Sequence, residues 1–404
     1  MQNNFENVEF LKKITTYDYE SFLKLKPMIP FSLEITDYLN ALSIEINKNP
    51  HIQKFPDVRT FSFFCRKANL LLLKKKYHDS GVLKLGRGLV FHIAPSNVPV
   101  NFAFSLMISL LSGNSNIVRV PSQKFGQTEI IVNAINKLAQ VPKYSNISNR
   151  IVLVSYDRNN DATNFFSLNC DVRIIWGGDE TINKIRESLL QPRAFDITFA
   201  DRYSLCVING DEFVKELRPE KIVEGFFNDT FLFDQNACTS PHLLLWIGSS
   251  KQVEKAKNIF WNILHILVSK RYEIQPITSI DKLTNFYKQA IQTDKVILEN
   301  SKDNLILRVK LNDLNDDIDC FRLHSGYFSE YHASSLMELS KIVNKKYQTL
   351  SYYGFTKENL TTLISKIEPK GIDRIVPIGR TMEFSSIWDG YELINTLSRR
   401  IEII

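Results

Sequence analysis

Cys238 stands in the stretch Phe231–Pro241, FLFDQNACTSP, among Asp, Gln, Asn, Thr, Ser and Pro. An apolar run with helical spacing, Ile222–Phe233, precedes it, and a strand-like run, His242–Trp246, follows. A cysteine at such a junction is presented to backbone N–H groups that can bond whatever is attached to the sulfur. That is how a nucleophile that forms an acyl intermediate is held. The other reading of a lone cysteine is a small buried hydrophobe in a turn. A second stretch, Gly86–Ser122, weighs toward chemistry, because it places polar residues and prolines at the ends of apolar runs.

These residues need a scaffold. Residues 1–80 have the spacing of helices, Phe31–Asn47 and Asp57–Tyr77, the second opening after Pro56 and closing on Lys74–Lys76. From Gly81 short apolar runs alternate with amphipathic ones. Strands are expected at Leu89–Ala94, Asn116–Val120, Arg150–Ser155, Val172–Trp176 and Tyr203–Ile208. Helices are expected at Val98–Ser112, Phe125–Leu138, Ala162–Leu168 and Glu180–Leu189. Strands separated by helices of this length imply an α/β fold with a parallel, doubly wound sheet. Such a sheet binds ligands at the carboxyl ends of its strands. Pro95-Ser96-Asn97, Pro121-Ser122 and Gly177-Gly178-Asp179 are those ends.

A second α/β block runs from Asp211 to about Lys370. It has a strand at Leu243–Ile247, helices at Lys251–Ser269, Ser279–Thr293 and Ala333–Lys345, and a strand near Leu305–Val309. The domains expected are 1–208, helices plus a cofactor-binding domain; 209–371, catalytic; and 372–404, a C-terminal segment.

Composition excludes several classes. The 404 residues carry 50 basic and 44 acidic side chains, a net charge of +6, without the clustering of a nucleic-acid surface. The five cysteines form no CxxC and no Cys/His ligand spacing, so neither a disulfide framework nor a metal site is expected. MQNNFENVEF has no apolar signal region, and Val98–Leu111 is too short to span a bilayer. A cytoplasmic protein with no membrane span is the expectation. No GxGxxG fingerprint occurs; Gly86-Arg87-Gly88 precedes a strand rather than a helix.

Several strings occur together in order: HIAPSNVP (92–99), GNSNIVRVPS (113–122), WGGDETI (176–182), DRYS (201–204), DQNACTSP (234–241), YQTLSYYG (347–354), DRIVPIG (373–379) and WDGYELI (388–394). This set resembles the LuxC family of acyl-CoA reductases, the bacterial luminescence type, within the aldehyde dehydrogenase superfamily. The N-terminal part is shorter than in the luminescence enzymes, which bears on substrate choice.

The resemblance implies a Rossmann-like cofactor domain, a catalytic domain carrying the cysteine, and a C-terminal segment returning to the first domain. It implies Cys238 as the nucleophile that takes the acyl group from a thioester. It implies Asn97 as an oxyanion donor beside the Cys238 N–H, a role compatible with an Asx turn between two prolines. Arg119 and Ser122 fall where the superfamily holds the adenosine ribose. The absence of an acid at Ser122-Gln123-Lys124 suits a 2′-phosphate, hence NADPH, although Arg119 and Lys124 also read as surface charge. Gly177, Gly178 and Asp179 precede a helix whose N-terminus suits a pyrophosphate; Asp179 also reads as an N-cap.

No glutamate stands at Phe199–Arg202, where hydrolytic members activate water, and Asp201 is the one carboxylate there. His92 and His242 flank the key loops and read as structural. Trp388 and Asp389 read either as channel lining or as packing. The partners expected are an acyl-CoA or acyl-protein thioester, an acyl-protein synthetase and a second copy of the chain. The competing reading is a cofactor-free cysteine acyltransferase or thioesterase on the same scaffold. The third is a binding protein with a degenerate site, weakened by retention of both Cys238 and Asn97.

Overall fold

A computed structural model describes residues 8–12, 19–77, 82–95, 98–157, 161–293 and 296–404. The chain divides into two compact units, one of the sequence to Ala200 with Tyr391–Ile404, the other of Asp201–Gly390.

In the first unit the strands are β1 (Glu9–Phe10), β2 (Leu83–Gly86), β3 (Leu89–Ile93), β4 (Ser115–Arg119), β5 (Ile151–Ser155), β6 (Val172–Trp176) and β7 (Phe195–Phe199). Six of them form one sheet in the order β1-β5-β4-β3-β6-β7. All neighbours are parallel except β1, which runs antiparallel to β5. Every residue of β3 is buried, as expected of a central strand covered on both faces by helices. The chain leaves β3 toward β4 on one side and leaves β6 toward β7 on the other, so the direction of winding reverses between β3 and β6. The C-terminal strand Ser398–Ile401 pairs antiparallel with β2.

The helix expected over Asp57–Tyr77 is two helices, Pro56–Phe64 and Lys67–Tyr77. Neighbouring side chains take up the backbone groups at the break. Asn40 Oδ1 accepts the Lys67 N–H at 2.9 Å, and Asn69 Nδ2 donates to Phe63 O at 2.6 Å. These bonds satisfy groups that an unbroken helix would pair internally.

The second unit holds β8 (Tyr203–Asn209), β9 (Pro241–Ile247), β10 (Ile297–Leu298), β11 (Leu307–Lys310), β12 (Tyr327–Ala333), β13 (Tyr347–Tyr353) and β14 (Arg374–Pro377). The sheet order is β10-β11-β12-β9-β8-β13-β14, parallel throughout except at β10. Leu205 and Val207 of β8 enter one apolar core; Cys206 and Ile208 enter the other, with the period of two that a pleated strand imposes.

Two sequence expectations change here. Tyr203–Asn209 is not the last strand of the first sheet but a central strand of the second, between β9 and β13. The helix expected at Ala333–Lys345 is the end of β12 followed by a 3-10 segment, Leu336–Lys341. Glu338 folds back to accept both the N–H and the hydroxyl of Ser334, at 2.6 and 2.8 Å, which closes a tight turn.

Candidate active site

The loop that carries Cys238 begins where the helix Pro219–Thr230 passes into the 3-10 turn Phe231–Phe233. Asp234 and Gln235 then adopt left-handed backbone, φ 52° and 59°, and reverse the chain. Such residues cost about 1–2 kcal/mol each outside glycine. The buried Gln235 carboxamide offsets this. Its Nε2 donates to Pro241 O (3.0 Å) and Tyr327 O (3.1 Å), and its Oε1 accepts from Gly326 N (2.8 Å) and Tyr327 N (3.2 Å). Ser240 donates to Asp229 O at 2.8 Å. Ser204 donates to the Cys238 carbonyl at 2.7 Å while accepting the Thr349 N–H at 3.1 Å. The loop is thus fastened to β8, β12 and β13, and Cys238 lies at the amino ends of these parallel strands.

Cys238 is half-buried. Cys65, Cys170 and Cys206 are buried, and Cys320 is exposed. Gln348, the second residue of β13, donates through Nε2 to Asp389 Oδ1. Asp389 is buried on left-handed backbone, φ 48°. Arg202 donates through Nε to Asp389 Oδ2 (3.1 Å) and through Nη1 to Lys345 O (2.5 Å). Arg322 reaches Arg202 O (2.6 Å) and Asn236 O (3.0 Å).

Burial, with the Asp389 charge behind it, pushes the Cys238 thiol up to about 11; Gln348 and Arg322 pull the other way. The sulfur is therefore protonated at neutral pH in the free protein. Burial also raises the Asp389 carboxyl above the usual carboxylate range, against the pull of Arg202. The Cys238 backbone N–H favours the thiolate.

The two histidines are structural. His92 sits between Ser105 Oγ (2.8 Å) and Asn116 Oδ1 (3.0 Å), and burial pushes it down to about 4. His242 Nδ1 donates to Leu323 O at 3.1 Å, its ring stacks on Tyr203, and burial holds it well below its ordinary range.

The residues expected to hold a cofactor lie in the first unit. Arg119 closes β4, donates to Tyr156 O from Nε (3.3 Å) and Nη2 (3.0 Å), and lies over the Tyr156 ring at 4.8 Å. Ser122 is exposed beyond it. Gly177 and Gly178 follow β6, at the reversal of winding where open parallel sheets bind ligands. A Cβ on Gly177 would come within 3.1 Å of the Thr181 side chain, which would have to give way to a larger residue. Gly178, not Asp179, is the N-cap of the helix Asp179–Arg186; Asp179 is its first residue and is exposed. Trp176 and Phe199, ending β6 and β7, stack with centroids 3.7 Å apart. Glycines ahead of a helix N-terminus at this crossing fit a dinucleotide held without GxGxxG. Asn97 lies outside the described residues. Asp201 is exposed. Among the described residues no three His, Cys, Asp or Glu side chains are grouped to hold a metal, and no helix is long and apolar enough to cross a membrane.

The sequence model of the acyl-CoA reductase (LuxC) family matches residues 71–400. The chain belongs to this family. Among curated relatives it is similar to the long-chain acyl-protein thioester reductase of Aliivibrio fischeri, 24% identical over 300 residues, 72% of this chain and 58% of the relative. It is also similar to long-chain acyl-protein thioester reductase 2 of Photobacterium leiognathi, 27% identical over 48% of this chain and 38% of the relative. The chain thus matches less than two thirds of the length of either. Among solved structures, lactaldehyde dehydrogenase of Escherichia coli has a TM-score of 0.65 at 10% identity, covering 95% of this chain and 87% of its own. Betaine aldehyde dehydrogenase of Staphylococcus aureus, in complex with NAD+, has a TM-score of 0.61 at 14% identity, covering 91% and 81%. The fold is that of the aldehyde dehydrogenases.

Sequence reasoning singled out Cys238 but gave no role to Arg202, Arg322 or Gln348, and left Asp389 between channel lining and packing. Arg202, Gln348 and Asp389 fall inside the strings DRYS, YQTLSYYG and WDGYELI, which signalled them as part of a pattern without assigning a role. No comparable string contains Arg322.

Proposed function

We propose that the protein reduces a long-chain fatty acyl thioester to the aldehyde with NADPH, through an acyl-Cys238 intermediate. The observation that supports this most is the setting of Cys238. Its loop is tied down on three strands, by Ser204 on the Cys238 carbonyl and on Thr349 N, and by Gln235 on Tyr327. In the first half-reaction the Cys238 sulfur bonds the acyl carbon, the bond to the carrier sulfur breaks, and the thiol proton leaves on the carrier thiol. A nicotinamide cofactor, when bound, supplies the hydride for the second half-reaction. The chain then has to hold the acyl oxygen and receive the sulfur as it leaves. The Cys238 N–H is one proposed donor to that oxygen; Asn97 is proposed as another on the strength of the HIAPSNVP motif alone.

The residues proposed to hold the cofactor are Arg119, Ser122, Gly177, Gly178 and Asp179. NADPH is proposed because the β4 end carries Arg119 and no acid. The carrier is proposed to be CoA or a protein; the names of the relatives support a protein, and with it a partner synthetase. Incubation with acyl-CoA followed by intact-mass measurement tests the reading. One acyl adduct is expected on the parent and none on Cys238→Ala, and NADPH should convert the adduct to aldehyde. An adduct that persists in Cys238→Ala, or aldehyde formed without Cys238, overturns it.

A further inference from the structure

We propose that the helix Pro276–Gln292 is a docking face for a second copy of this chain, which lays the same helix antiparallel against it about a two-fold axis. The inference goes beyond the catalytic reading and does not depend on it.

A surface helix ordinarily hides its apolar stripe against the body of the protein. This helix is turned the other way. Its buried residues are Thr278, Lys282 and Gln289, all polar. Ile277, Ile280, Tyr287 and Ile291 face outward, 57, 60, 61 and 85% exposed, with Leu283 beside them at 39%. Phe286 is the large apolar residue of the helix that packs against the core. A contiguous apolar patch of this kind on a soluble protein marks an interaction surface.

Hydrogen bonds fix the orientation. Lys282 Nζ donates to Asn304 O at 2.9 Å and to Leu305 O at 3.0 Å. Asn285 Nδ2 donates to Phe321 O at 2.9 Å. Gln289 Oε1 accepts from the Tyr327 hydroxyl at 2.7 Å. Turning the apolar stripe inward would strip these groups of their partners, which folded chains avoid. The stripe therefore stays in water unless another molecule covers it.

Spacing selects the kind of partner. Ile277, Ile280, Thr284, Tyr287 and Ile291 follow one another by three, four, three and four residues. That is the seam of a coiled coil, so the partner element is a helix. Charge selects the copy. One flank of the seam carries Asp281 and Lys288, half-buried and exposed; the other carries Leu283 and Ala290. In an antiparallel pair each flank meets its own equivalent. A two-fold axis near the middle of the helix then sets Asp281 of each copy against Lys288 of the other, and the contact is made twice, as a self-complementary interface requires. A parallel pair would set Lys288 against Leu283 and gain nothing. The helix has 17 residues. A seam of that length, about 25 Å, covers less than the ~800 Å2 per partner of a standard complex, so the pair should come apart on dilution.

The test is sedimentation velocity of the whole chain from roughly 1 to 100 µM. The proteins are the parent, the double variant Ile280→Glu with Tyr287→Glu, the single reversals Asp281→Lys and Lys288→Asp, and both reversals together. The substituted side chains lie on the outer face, and circular dichroism verifies that each variant folds. The parent should show a species that doubles in mass as concentration rises. Ile280→Glu with Tyr287→Glu should abolish the doubling. Each single reversal sets like charges against each other and should raise the dissociation constant several-fold. Both reversals together restore the opposite pairing and should return it near the parent value. A parent that never doubles, or a doubling that survives Ile280→Glu with Tyr287→Glu, overturns the inference. So does a double reversal as weak as the single ones, because the helix would then be meeting some other surface.

Discussion

Gln235 and Tyr327 exchange two hydrogen bonds: the Gln235 amide donates to Tyr327 O at 3.1 Å, and its carbonyl accepts the Tyr327 N–H at 3.2 Å. One side chain thereby fixes the nucleophile loop to the start of β12. Gly326 N and Pro241 O are satisfied by the same amide. Gln235→Ala would leave four buried backbone groups unpaired, each costing about 1–3 kcal/mol where water cannot enter. We expect a loss of about 3–5 kcal/mol in urea unfolding. Surviving folded protein should also acylate more slowly. A loss under about 1 kcal/mol would mean that water replaces the amide there.

Asp229 predicts a pH dependence. Its carboxylate accepts the N–H groups of Gly379 (2.6 Å) and Thr381 (3.1 Å), yet burial pushes it up to about 6. A carboxyl with a raised folded-state pKa binds its proton more tightly in the folded protein. Its contribution is therefore most favourable below its unfolded pKa of about 4, and is lost as pH rises toward 6. The parent should lose about 2–3 kcal/mol relative to Asp229→Asn between pH 4 and 6. Asp229→Asn itself is less stable overall, because an amide cannot accept from both donors as a carboxylate does. The measurement is the difference in unfolding free energy across that range, and parallel curves for the two proteins would refute the assignment.

Four strands of the first sheet, β3 to β6, were legible because each is a short apolar run closed by turn residues, whereas β1 and β7 were not expected. The second was legible only in part. β12, YFSEYHA, carries Glu330 at its centre, which argues against a buried strand. In the fold Glu330 is fully buried, accepting from Trp246 Nε1 (3.1 Å), Trp261 Nε1 (3.2 Å) and Arg308 Nη1 (3.3 Å), with Lys257 Nζ 3.7 Å away. Those partners lie 22 to 84 residues away along the chain, so no local pattern announces them. The same limit governs the site. Cys238 is marked by its own loop, whereas Arg202, Gln348 and Asp389 meet only because β8 and β13 begin side by side and the segment after β14 returns to that end.

The nucleophile assignment predicts a contrast among cysteines. Cys65 and Cys206 are buried in apolar cores, and burial raises both thiols far above their ordinary value. Labelled acyl-CoA should acylate Cys65→Ala and Cys206→Ala as it does the parent, once folding is verified, and should leave Cys238→Ala unlabelled. Equal loss of label in all three variants would point to a folding effect rather than to Cys238.

For the cofactor, the guanidinium of Arg119 is fixed over Tyr156 by two bonds to its carbonyl, at the end of β4 and with no acid at Ser122-Gln123-Lys124. NADPH should therefore exceed NADH in kcat/KM. Ser122→Glu should move the preference toward NADH by about tenfold, through repulsion of the 2′-phosphate. A parent that uses both cofactors equally would remove the basis of this argument.

The last prediction concerns what discharges the acyl-enzyme. Asp201 is exposed, and it is the one carboxylate in the stretch where hydrolytic relatives carry a water-activating glutamate. The carboxylate that acts on the sulfur is Asp389, and both its oxygens are engaged, one by Arg202 and one by Gln348. A carboxylate so engaged is a poor base toward water, because deprotonating water would cost it those bonds. The acyl-Cys238 intermediate should then accumulate when acyl-CoA is given alone and decay slowly to free acid. NADPH should discharge it at least a hundredfold faster, because hydride transfer needs donors to the acyl oxygen rather than a base. Single-turnover decay of labelled acyl-enzyme, with and without NADPH, is the measurement, made on the parent and on Asp201→Asn. The Asp201 variant should match the parent in both arms. Hydrolysis as fast as reduction, suppressed by Asp201→Asn, would make this a hydrolase-type site with Asp201 as its base, and the reductase reading would fall.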